Sequence, residues 1–483
     1  MNIKNIRFLK IITNYANISF ILIIALCFFV IIYSVYRIYN PIYDFSLENS
    51  GINNFYYLTT ISSIIVVLLS LICIKILSID QKINLTIIFS IIVIVLYGFE
   101  IYLEIPKKTE KEFAAQKLNL PYDKRTKKEV RDDLRILGIE TLPNMHGYYW
   151  MEENGFEIDN GRIYPIGTVS NSKTILHNQA GYYPVIETDE YGFHNPKGLY
   201  IKNKVDIMIT GDSFAEGYAV HSNQNISAHL RKKNFNVITL GKGGNGPLLE
   251  LATVKEYAEP IKPKIVLWFY FENDLSNLTS EVQSSILMRY FNEENFTQNL
   301  IKRQDEIDKA LMTFVDYKWK IDEEKQWERE NLSNHFIIKI IKLYNLREKL
   351  KLIPTARHET SNDPQPWKNE PLDRMFVEIL DKSKNLISTW NGKMYLVYLP
   401  AYGRYSKNFM HPEWTGIALE NREFVLSSAL NLQIPIIDIH KELFLEHEDP
   451  LSLFPLRLNG HYNSKGQELI AELINNRLKS DGY

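Results

Sequence analysis

Residues Val205–Val220 read VDIMITGDSFAEGYAV, and this stretch decides the fold. Its first six residues are mostly apolar and β-branched, which is typical of a buried strand. Gly211-Asp212-Ser213 then breaks the strand, and the residues from Phe214 onward predict a helix. A serine at such a strand-to-helix turn lies at the carboxyl edge of a sheet, where open α/β folds bind ligands. Ser213 is therefore a candidate nucleophile whose backbone N–H faces the substrate.

Strand and helix patterns alternate along the rest of the C-terminal half. Four more apolar runs predict strands, at 235–240, 264–271, 392–400 and 434–439. A glycine loop at 241–246 follows the second strand, and Glu272-Asn273-Asp274 follows the third. His461 precedes a final helix that is predicted to run to about Lys479, with Asn463 as its N-cap. Repeated β–α units of this kind predict a mostly parallel sheet covered by helices.

Composition and charge limit the possible functions. The chain has 483 residues, 45% of them hydrophobic, and a net charge of -2. This near-neutral charge argues against a nucleic-acid-binding protein. Both cysteines, Cys27 and Cys73, lie in apolar segments. The rest of the chain therefore can form neither a disulfide nor a zinc site with cysteine ligands.

The first 105 residues are predicted to be a membrane domain. Three apolar stretches are long enough to cross a bilayer, at about 11–36, 57–76 and 83–103. The first is too long for a cleaved signal peptide and lacks a small-residue cleavage site. Basic residues before it favour a cytoplasmic N-terminus, so three crossings would place the C-terminal part outside the cytoplasm. The basic residues after the third stretch, Lys107, Lys108 and Lys111, speak against this orientation.

Two further segments interrupt the simple pattern. Residues 106–188 are polar and tyrosine-rich and are interpreted as a connector, with an amphipathic helix at 127–137 followed by short extended pieces. A separate carbohydrate-binding module is the alternative for this segment. Residues 280–370 are charged and predict a helical insertion near the mouth of the site, with a solvated helix at 304–327 and a loop at 354–369.

The ordered set of a serine, a glycine loop, an asparagine and a C-terminal histidine resembles the SGNH/GDSL hydrolase superfamily. The resemblance covers roughly 189–479 of the predicted domain 189–483, with Ser213, Gly244, Asn273 and His461 at the positions of the family blocks. Phe271 departs from it, because the family usually has glycine two residues before the asparagine. The resemblance implies a flavodoxin-like three-layer α/β domain, here preceded by a bundle of three transmembrane helices.

The resemblance also implies a chemistry and explains the residue types. Ser213 would attack an ester carbonyl while His461 takes its proton. The oxyanion would be held by the backbone N–H groups of Ser213 and Gly244 and by the side-chain amide of Asn273. Glycine suits the second position because a backbone N–H must approach the substrate without a Cβ in the way.

One departure concerns the third catalytic group. The family usually has an aspartate two or three residues before the histidine, and these positions are Leu458 and Asn459 here. Asn459 could accept from Nδ1–H of His461, but it carries no charge. The alternatives are a Ser-His dyad, a backbone carbonyl, another acid such as Asp449, or weak activity. If Asn459 fills this position, Asn459→Asp should raise turnover at least about tenfold.

These features together predict a membrane-anchored serine esterase or O-acyltransferase. The resemblance and the spans imply an O-acylated cell-surface glycan as substrate, an acyl-serine intermediate, and no metal or cofactor. They also imply a multi-pass protein of a bacterial cytoplasmic membrane that has the lipid bilayer and cell-envelope polysaccharide machinery as partners. Two alternatives remain: a lipid esterase or thioesterase at the membrane, and a catalytically impaired glycan-binding or assembly protein.

Overall fold

The computed structural model describes residues 3–39, 49–104, 109–159, 161–327, 340, 343–350, 370–406 and 412–483. The chain divides into two compact units, each made of two separate stretches of sequence. The first unit is Met1–Lys107 with Arg329–Glu359, and the second is Lys108–Glu328 with Thr360–Tyr483. The predicted connector and hydrolase segments therefore fold into one unit, whereas the predicted insertion contributes to both.

The first unit contains three long helices, α1 (Ile3–Tyr39), α2 (Asn49–Ile76) and α3 (Ile79–Glu104). Two stretches within them are long and apolar enough to cross a membrane, Tyr56–Ile76 and Ile79–Leu103. The apolar stretch described in α1, Phe20–Tyr36, is shorter, and the side chains of 11–16 lie outside the described residues. Two of the three predicted spans thus meet the length requirement, and the first span stays a prediction.

A buried acidic side chain joins the two stretches of the first unit. Glu100 of α3 is fully buried, and its carboxylate accepts from the backbone N–H groups of Asn345 and Leu346, each at 2.8 Å. The side-chain amide of Asn345 donates a third hydrogen bond, at 3.0 Å. These residues begin the short helix Tyr344–Lys349. Because the first N–H groups of a helix have no partner within it, a carboxylate stabilises this end.

The second unit begins with small elements that correspond to the predicted connector. This segment contains the helices α4 (Glu110–Lys117) and α5 (Lys127–Ile136), which start with capping boxes at Thr109 and Thr126. Five short strands follow: β1 (Leu142–Pro143), β2 (Phe156–Ile158), β3 (Gly161–Ile163), β4 (Lys173–Ile175) and β5 (Val185–Glu187). Strands β1, β4 and β5 form one small sheet, and β2 pairs with β3. The predicted helix and extended pieces of this segment are confirmed.

A five-stranded parallel sheet forms the centre of the second unit. Its strands are β6 (Ile207–Thr210), β7 (Val237–Thr239), β8 (Ile265–Phe271), β9 (Lys393–Leu399) and β10 (Ile436–Asp438). All five coincide with predicted strands, and all neighbours pair in parallel in the order β10-β9-β8-β6-β7. This is the 2-1-3-4-5 order of flavodoxin-like folds, in which the chain reverses direction across the sheet between β6 and β8.

Helices pack on this sheet and on the small strands before it. They are α6 (Ser213–Glu216), α7 (Ile226–Arg231), α8 (Pro247–Thr253), α9 (Glu259–Ile261), α10 (Asp274–Glu281), α11 (Ser285–Asn292), α12 (Gln304–Trp327), α13 (Glu370–Ser388), α14 (Pro412–Asn431) and α15 (Ser464–Ser480). Helix α12 has the predicted bounds, but it is not solvated all round, because Ile307, Leu311 and Trp319 are buried in the core. The predicted loop 354–369 lies outside the described residues.

The sheet separates two hydrophobic cores. Alternate residues of a strand point to opposite faces, so Trp268 and Tyr270 of β8 join one core whereas Leu267 and Phe269 join the other. Helices α8 and α13 pack on the first face, and α7 and α15 pack on the second. Every residue of β8 is buried, as expected for a central parallel strand with both faces covered. The predicted three-layer α/β architecture is therefore present.

Candidate active site

Ser213 lies directly after β6, at the start of α6, as its sequence context predicts. The turn depends on Gly211, whose φ of 149° suits glycine and whose Cβ would come within 2.9 Å of both Ala215 and Phe269. Asp212 caps the helix by accepting from the N–H of Phe214 at 2.8 Å. Burial raises the pKa of the Asp212 carboxyl to about 7. The local sequence thus fixes Ser213 at the carboxyl edge of the sheet.

His461 meets Ser213 from the other end of the chain. Its Nε2 lies 2.6 Å from Ser213 Oγ, across 248 residues of sequence. Asn463 caps α15 two residues later, as predicted, by accepting from the N–H of Gly466. The His461 ring is held between aromatic neighbours, with its centroid 4.5 Å from that of Phe214 and 4.9 Å from that of Tyr218. Burial lowers the pKa of His461 to about 3, so the imidazole is neutral at physiological pH.

The third group at this site is Gln179, which the sequence analysis did not single out. Its Oε1 lies 3.1 Å from Nδ1 of His461 and also accepts from the backbone N–H of His461 at 2.9 Å. The structure thereby corrects the expectation for Asn459: within the part of the chain that the structure describes, Asn459 makes no hydrogen bond to His461. The alternative acid, Asp449, instead pairs with Arg457 at the surface.

The sequence contains no signal that would have identified Gln179. It lies 282 residues before His461 in the connector, and a glutamine in a loop has no motif that distinguishes it. Chemistry gives only a class of candidates, because any side-chain oxygen near Nδ1 could accept its proton. The contact between Gln179 and His461 forms only when the connector is folded onto the sheet.

The predicted oxyanion donors follow three neighbouring strands. Ser213 follows β6, Gly244 lies in the loop after β7, and Asn273 comes two residues after the last residue of β8. Since parallel strands bring their carboxyl ends to one edge, the three residues share the edge that carries His461. Asn273 is 8% exposed, and its Oδ1 has no hydrogen-bond partner in the structure.

The glycine loop is shaped for close approach. Gly244 has a φ of 75°, which suits glycine, and a Cβ there would lie 2.5 Å from Cδ1 of Tyr148. A Cβ on the preceding Gly243 would lie 2.5 Å from the ring of His146. The connector residues His146 and Tyr148 therefore cover the loop directly. Any larger residue at Gly244 would displace this cover.

A buried ion pair holds the same loop. Lys242 and Glu216 form a salt bridge at 1% and 0% side-chain exposure. The second carboxylate oxygen of Glu216 accepts from the N–H of Gly243 at 3.0 Å. Glu216 ends the helix that Ser213 begins, so one side chain links the nucleophile turn to the glycine loop.

Phe271, the departure from the family pattern, has a packing role. Its ring stacks on Phe214 with centroids 3.8 Å apart, and Phe214 in turn contacts His461. Phe271 therefore supports the ring of Phe214, which packs against the histidine. No three histidine, cysteine, aspartate or glutamate side chains are arranged to hold a metal ion in the described parts of the chain.

The site resembles that of the SGNH/GDSL hydrolases. The resemblance consists of the sheet order, the elements that carry Ser213, Gly244, Asn273 and His461, and the bond between serine and histidine. In this site the side-chain oxygen of Gln179 lies at Nδ1 of His461.

Comparisons with known proteins give distant similarities. No family model and no curated protein matches the chain. Among solved structures it is similar to a lipase/acylhydrolase from Enterococcus faecalis, with 14% identity, coverage of 57% of this chain and 96% of that one, and a TM-score of 0.32. An acetyl xylan esterase gives 13% identity, coverage of 56% and 99%, and a TM-score of 0.31.

A two-domain esterase active on acetylated mannans is similar at 12% identity, with coverage of 57% of this chain and 49% of that chain and a TM-score of 0.30. The parallel sheet and its strand order establish the architecture, and the residues at its edge define the chemistry that the site can perform.

Proposed function

We propose that this protein is a membrane-anchored serine esterase or O-acyltransferase that acts through an acyl-serine intermediate. The observation that carries the proposal is the 2.6 Å contact between Ser213 Oγ and Nε2 of a buried, neutral His461. A neutral imidazole can accept the serine proton as general base, which is the requirement for activating a hydroxyl nucleophile.

The reaction would proceed in two steps. Ser213 Oγ attacks the ester carbonyl carbon and transfers its proton to Nε2 of His461, while the carbonyl oxygen becomes an oxyanion. The N–H groups of Ser213 and Gly244 and the amide of Asn273 donate to that oxyanion. On collapse the C–O bond of the ester breaks, and His461 returns its proton to the leaving alcohol. Water or a sugar hydroxyl then attacks the acyl-serine by the same route and restores Ser213.

The proposed substrate is an O-acylated glycan of the cell surface. Tyr148 supports this choice, because the residue is 45% exposed and its ring lies over Gly244, next to the proposed oxyanion position. Its ring centroid is 4.2 Å from that of Tyr149, which extends the aromatic surface. Sugar rings pack their apolar faces on aromatic side chains of this kind. A lipid esterase remains the competing reading, and it would prefer long-chain over acetyl esters.

Membrane anchoring is part of the proposal and is supported by the exposure of α2 and α3. Their apolar side chains face outward, with Leu58 at 67%, Ile94 at 70% and Val95 at 61% exposure. Such a surface is unfavourable in water and suits hydrocarbon. We place the second unit outside the cytoplasm. A reporter that functions only in the cytoplasm can be fused after Tyr483. Activity of this fusion would contradict the placement.

Labelling with a fluorophosphonate probe tests the nucleophile. The full-length protein in detergent should be labelled on Ser213 and should hydrolyse p-nitrophenyl acetate, and Ser213→Ala should lose both activities. Ser280→Ala is the matched control, because Ser280 is an exposed serine of α10 in the same unit. Equal labelling of Ser213→Ala and wild type would disprove the assignment. A folded wild type that neither labels nor hydrolyses esters would favour a glycan-binding protein.

A further inference from the structure

The loop that carries Gln179 is fixed on both sides. The side chain of Asn178 accepts from the N–H of Gly181 at 2.8 Å and donates to the carbonyl of Asp123 at 2.9 Å. Nζ of Lys111 donates to the carbonyl of Asn178 at 2.9 Å. Gly181 has a φ of 93°, and a Cβ there would lie 2.4 Å from the carbonyl oxygen of Pro121. The loop therefore presents Gln179 in one defined position.

The backbone next to His461 leaves room for the side chain of Gln179. Gly460 precedes His461, and a Cβ on Gly460 would lie 2.9 Å from Oε1 of Gln179. A side chain at 460 would therefore displace the amide from the histidine. The absence of a side chain lets one oxygen reach both the backbone N–H and Nδ1 of His461.

The backbone contact determines which amide atom faces the histidine. A backbone N–H can only donate, so the Gln179 atom 2.9 Å from it must be the oxygen rather than the NH₂ group. The same oxygen lies 3.1 Å from Nδ1, so Nδ1 must carry a hydrogen to bond with it. In a neutral imidazole the other nitrogen is then unprotonated. Nε2 is thus the acceptor for the Ser213 hydroxyl, as a general base requires.

We infer that Gln179 is the positioning residue of this site: it takes the place of the triad acid and holds His461 in the tautomer that activates Ser213. The inference rests on the proposed function. It also gives the connector a part in the catalytic machinery, because the residue that orients the base comes from the segment before the β–α domain. A neutral amide fixes the tautomer but brings no charge to stabilise the imidazolium that forms during attack.

Two substitutions separate these contributions. Gln179→Met keeps the length of the side chain and removes the acceptor, so we expect kcat for p-nitrophenyl acetate to fall about 100-fold with KM within about threefold of wild type. Gln179→Glu restores an acceptor and adds charge, so it should retain at least about a tenth of wild-type kcat. Gln283→Met is the control, because Gln283 is an exposed glutamine of the same unit. Equal kcat in Gln179→Met and wild type would overturn the inference.

A spectroscopic measurement decides the question without turnover. In full-length protein labelled with 15N-histidine, proton–nitrogen NMR should show His461 protonated on Nδ1, with the signal assigned by its loss in His461→Asn. An Nε2–H tautomer in the wild type would refute the inference even if Gln179→Met fails to fold. If the wild type shows the Nδ1–H tautomer but hydrolyses no ester, the proposed function fails while the positioning role stands.

The imidazole pKa gives a readout that a merely structural role would not change. Gln179→Glu should raise the pKa of His461 by at least about one unit, because a carboxylate beside Nδ1 favours the imidazolium. Among the described titratable groups, Tyr218 packs against this ring and Asp212 lies behind Ser213. Both are unchanged in the variant. An unshifted pKa would show that Gln179 does not interact with Nδ1.

Discussion

Glu216 and Lys242 form an ion pair in the interior, and the same glutamate binds the N–H of Gly243 in the glycine loop. Charges in the interior are costly unless each is compensated, so neither partner can be lost alone. The pair is therefore a structural requirement for the loop that carries Gly244. Glu216 lies one helical turn after Ser213, so the ion pair links the conformation of the glycine loop to the turn that carries Ser213.

Removing one partner of this pair should destabilise the second unit. We expect Lys242→Met to cost about 3–5 kcal/mol, because it leaves Glu216 charged and buried. Thermal melting of the detergent-solubilised protein should show a fall in Tm on the order of 10 °C. Lys264→Met is the control, since Lys264 pairs with Asp206 at 63% side-chain exposure and should change little. Equal changes in Tm in the two variants would show that the buried pair contributes no more to stability than the exposed pair.

Asn273 should contribute to turnover and not to stability. Asn273→Ala removes an amide that we place against the developing oxyanion, so kcat should fall about 100- to 1,000-fold. The buried Oδ1 of Asn273 has no partner in the structure, so folding should lose little. Steady-state kinetics and a melting curve measure the two effects, with Asn292→Ala as an exposed asparagine control. A loss of Tm that matches the loss of activity would assign Asn273 to the fold.

Asn459→Asp should have little effect, contrary to what the sequence alone predicts. Oε1 of Gln179 already occupies the position at Nδ1 of His461, so a new carboxylate at 459 has no hydrogen bond to take over. We expect kcat within about threefold of wild type. Steady-state kinetics of Asn459→Asp, and of the double variant that combines it with Gln179→Met, check this. A tenfold increase in the kcat of Asn459→Asp would show that the side chain at 459 acts on His461.

Stability should depend on pH through His461. Burial lowers its pKa from 6.5 to about 3 in the folded protein. Between these values the unfolded chain binds a proton that the folded protein does not, so stability falls as the pH drops below about 6.5. Relative to His461→Asn, the wild type should lose about 2 kcal/mol between pH 7 and pH 5. Parallel stability curves for the two proteins would mean that the folded imidazole protonates normally.

The fold follows from the sequence because its signals are local. The five strands are short apolar runs bounded by turn residues, and β8 reads IVLWFYF without a polar interruption. The β–α alternation predicts a mostly parallel sheet and leaves few arrangements, and the family resemblance implies the flavodoxin-like one among them. Ser213 and His461 were found for the same reason, because each stands beside a recognisable strand or helix end.

The partner of Nδ1 of His461 cannot be predicted from the sequence, because the contact depends on tertiary packing. Asn459 is close to His461 in sequence, whereas Gln179 is close to His461 in space. No sequence pattern in the connector predicts the contact of Gln179. The division of the insertion was also missed. Helical periodicity indicates that 304–327 and 344–349 are helices, but it does not say which unit each one joins.

The contact between Glu100 and the Tyr344–Lys349 helix has a practical consequence for attachment. The chain passes between the two units at 107–108, 328–329 and 359–360, so they are joined by three covalent connections. A protease that cuts only after α3 would leave the second unit tethered through 329–359, whose described residues bind Glu100. Separation of the second unit from both stretches of the first would need a cut at each of the three connections. A single cut after α3 should therefore leave the second unit associated with the first while Asn345 and Leu346 stay bound to Glu100.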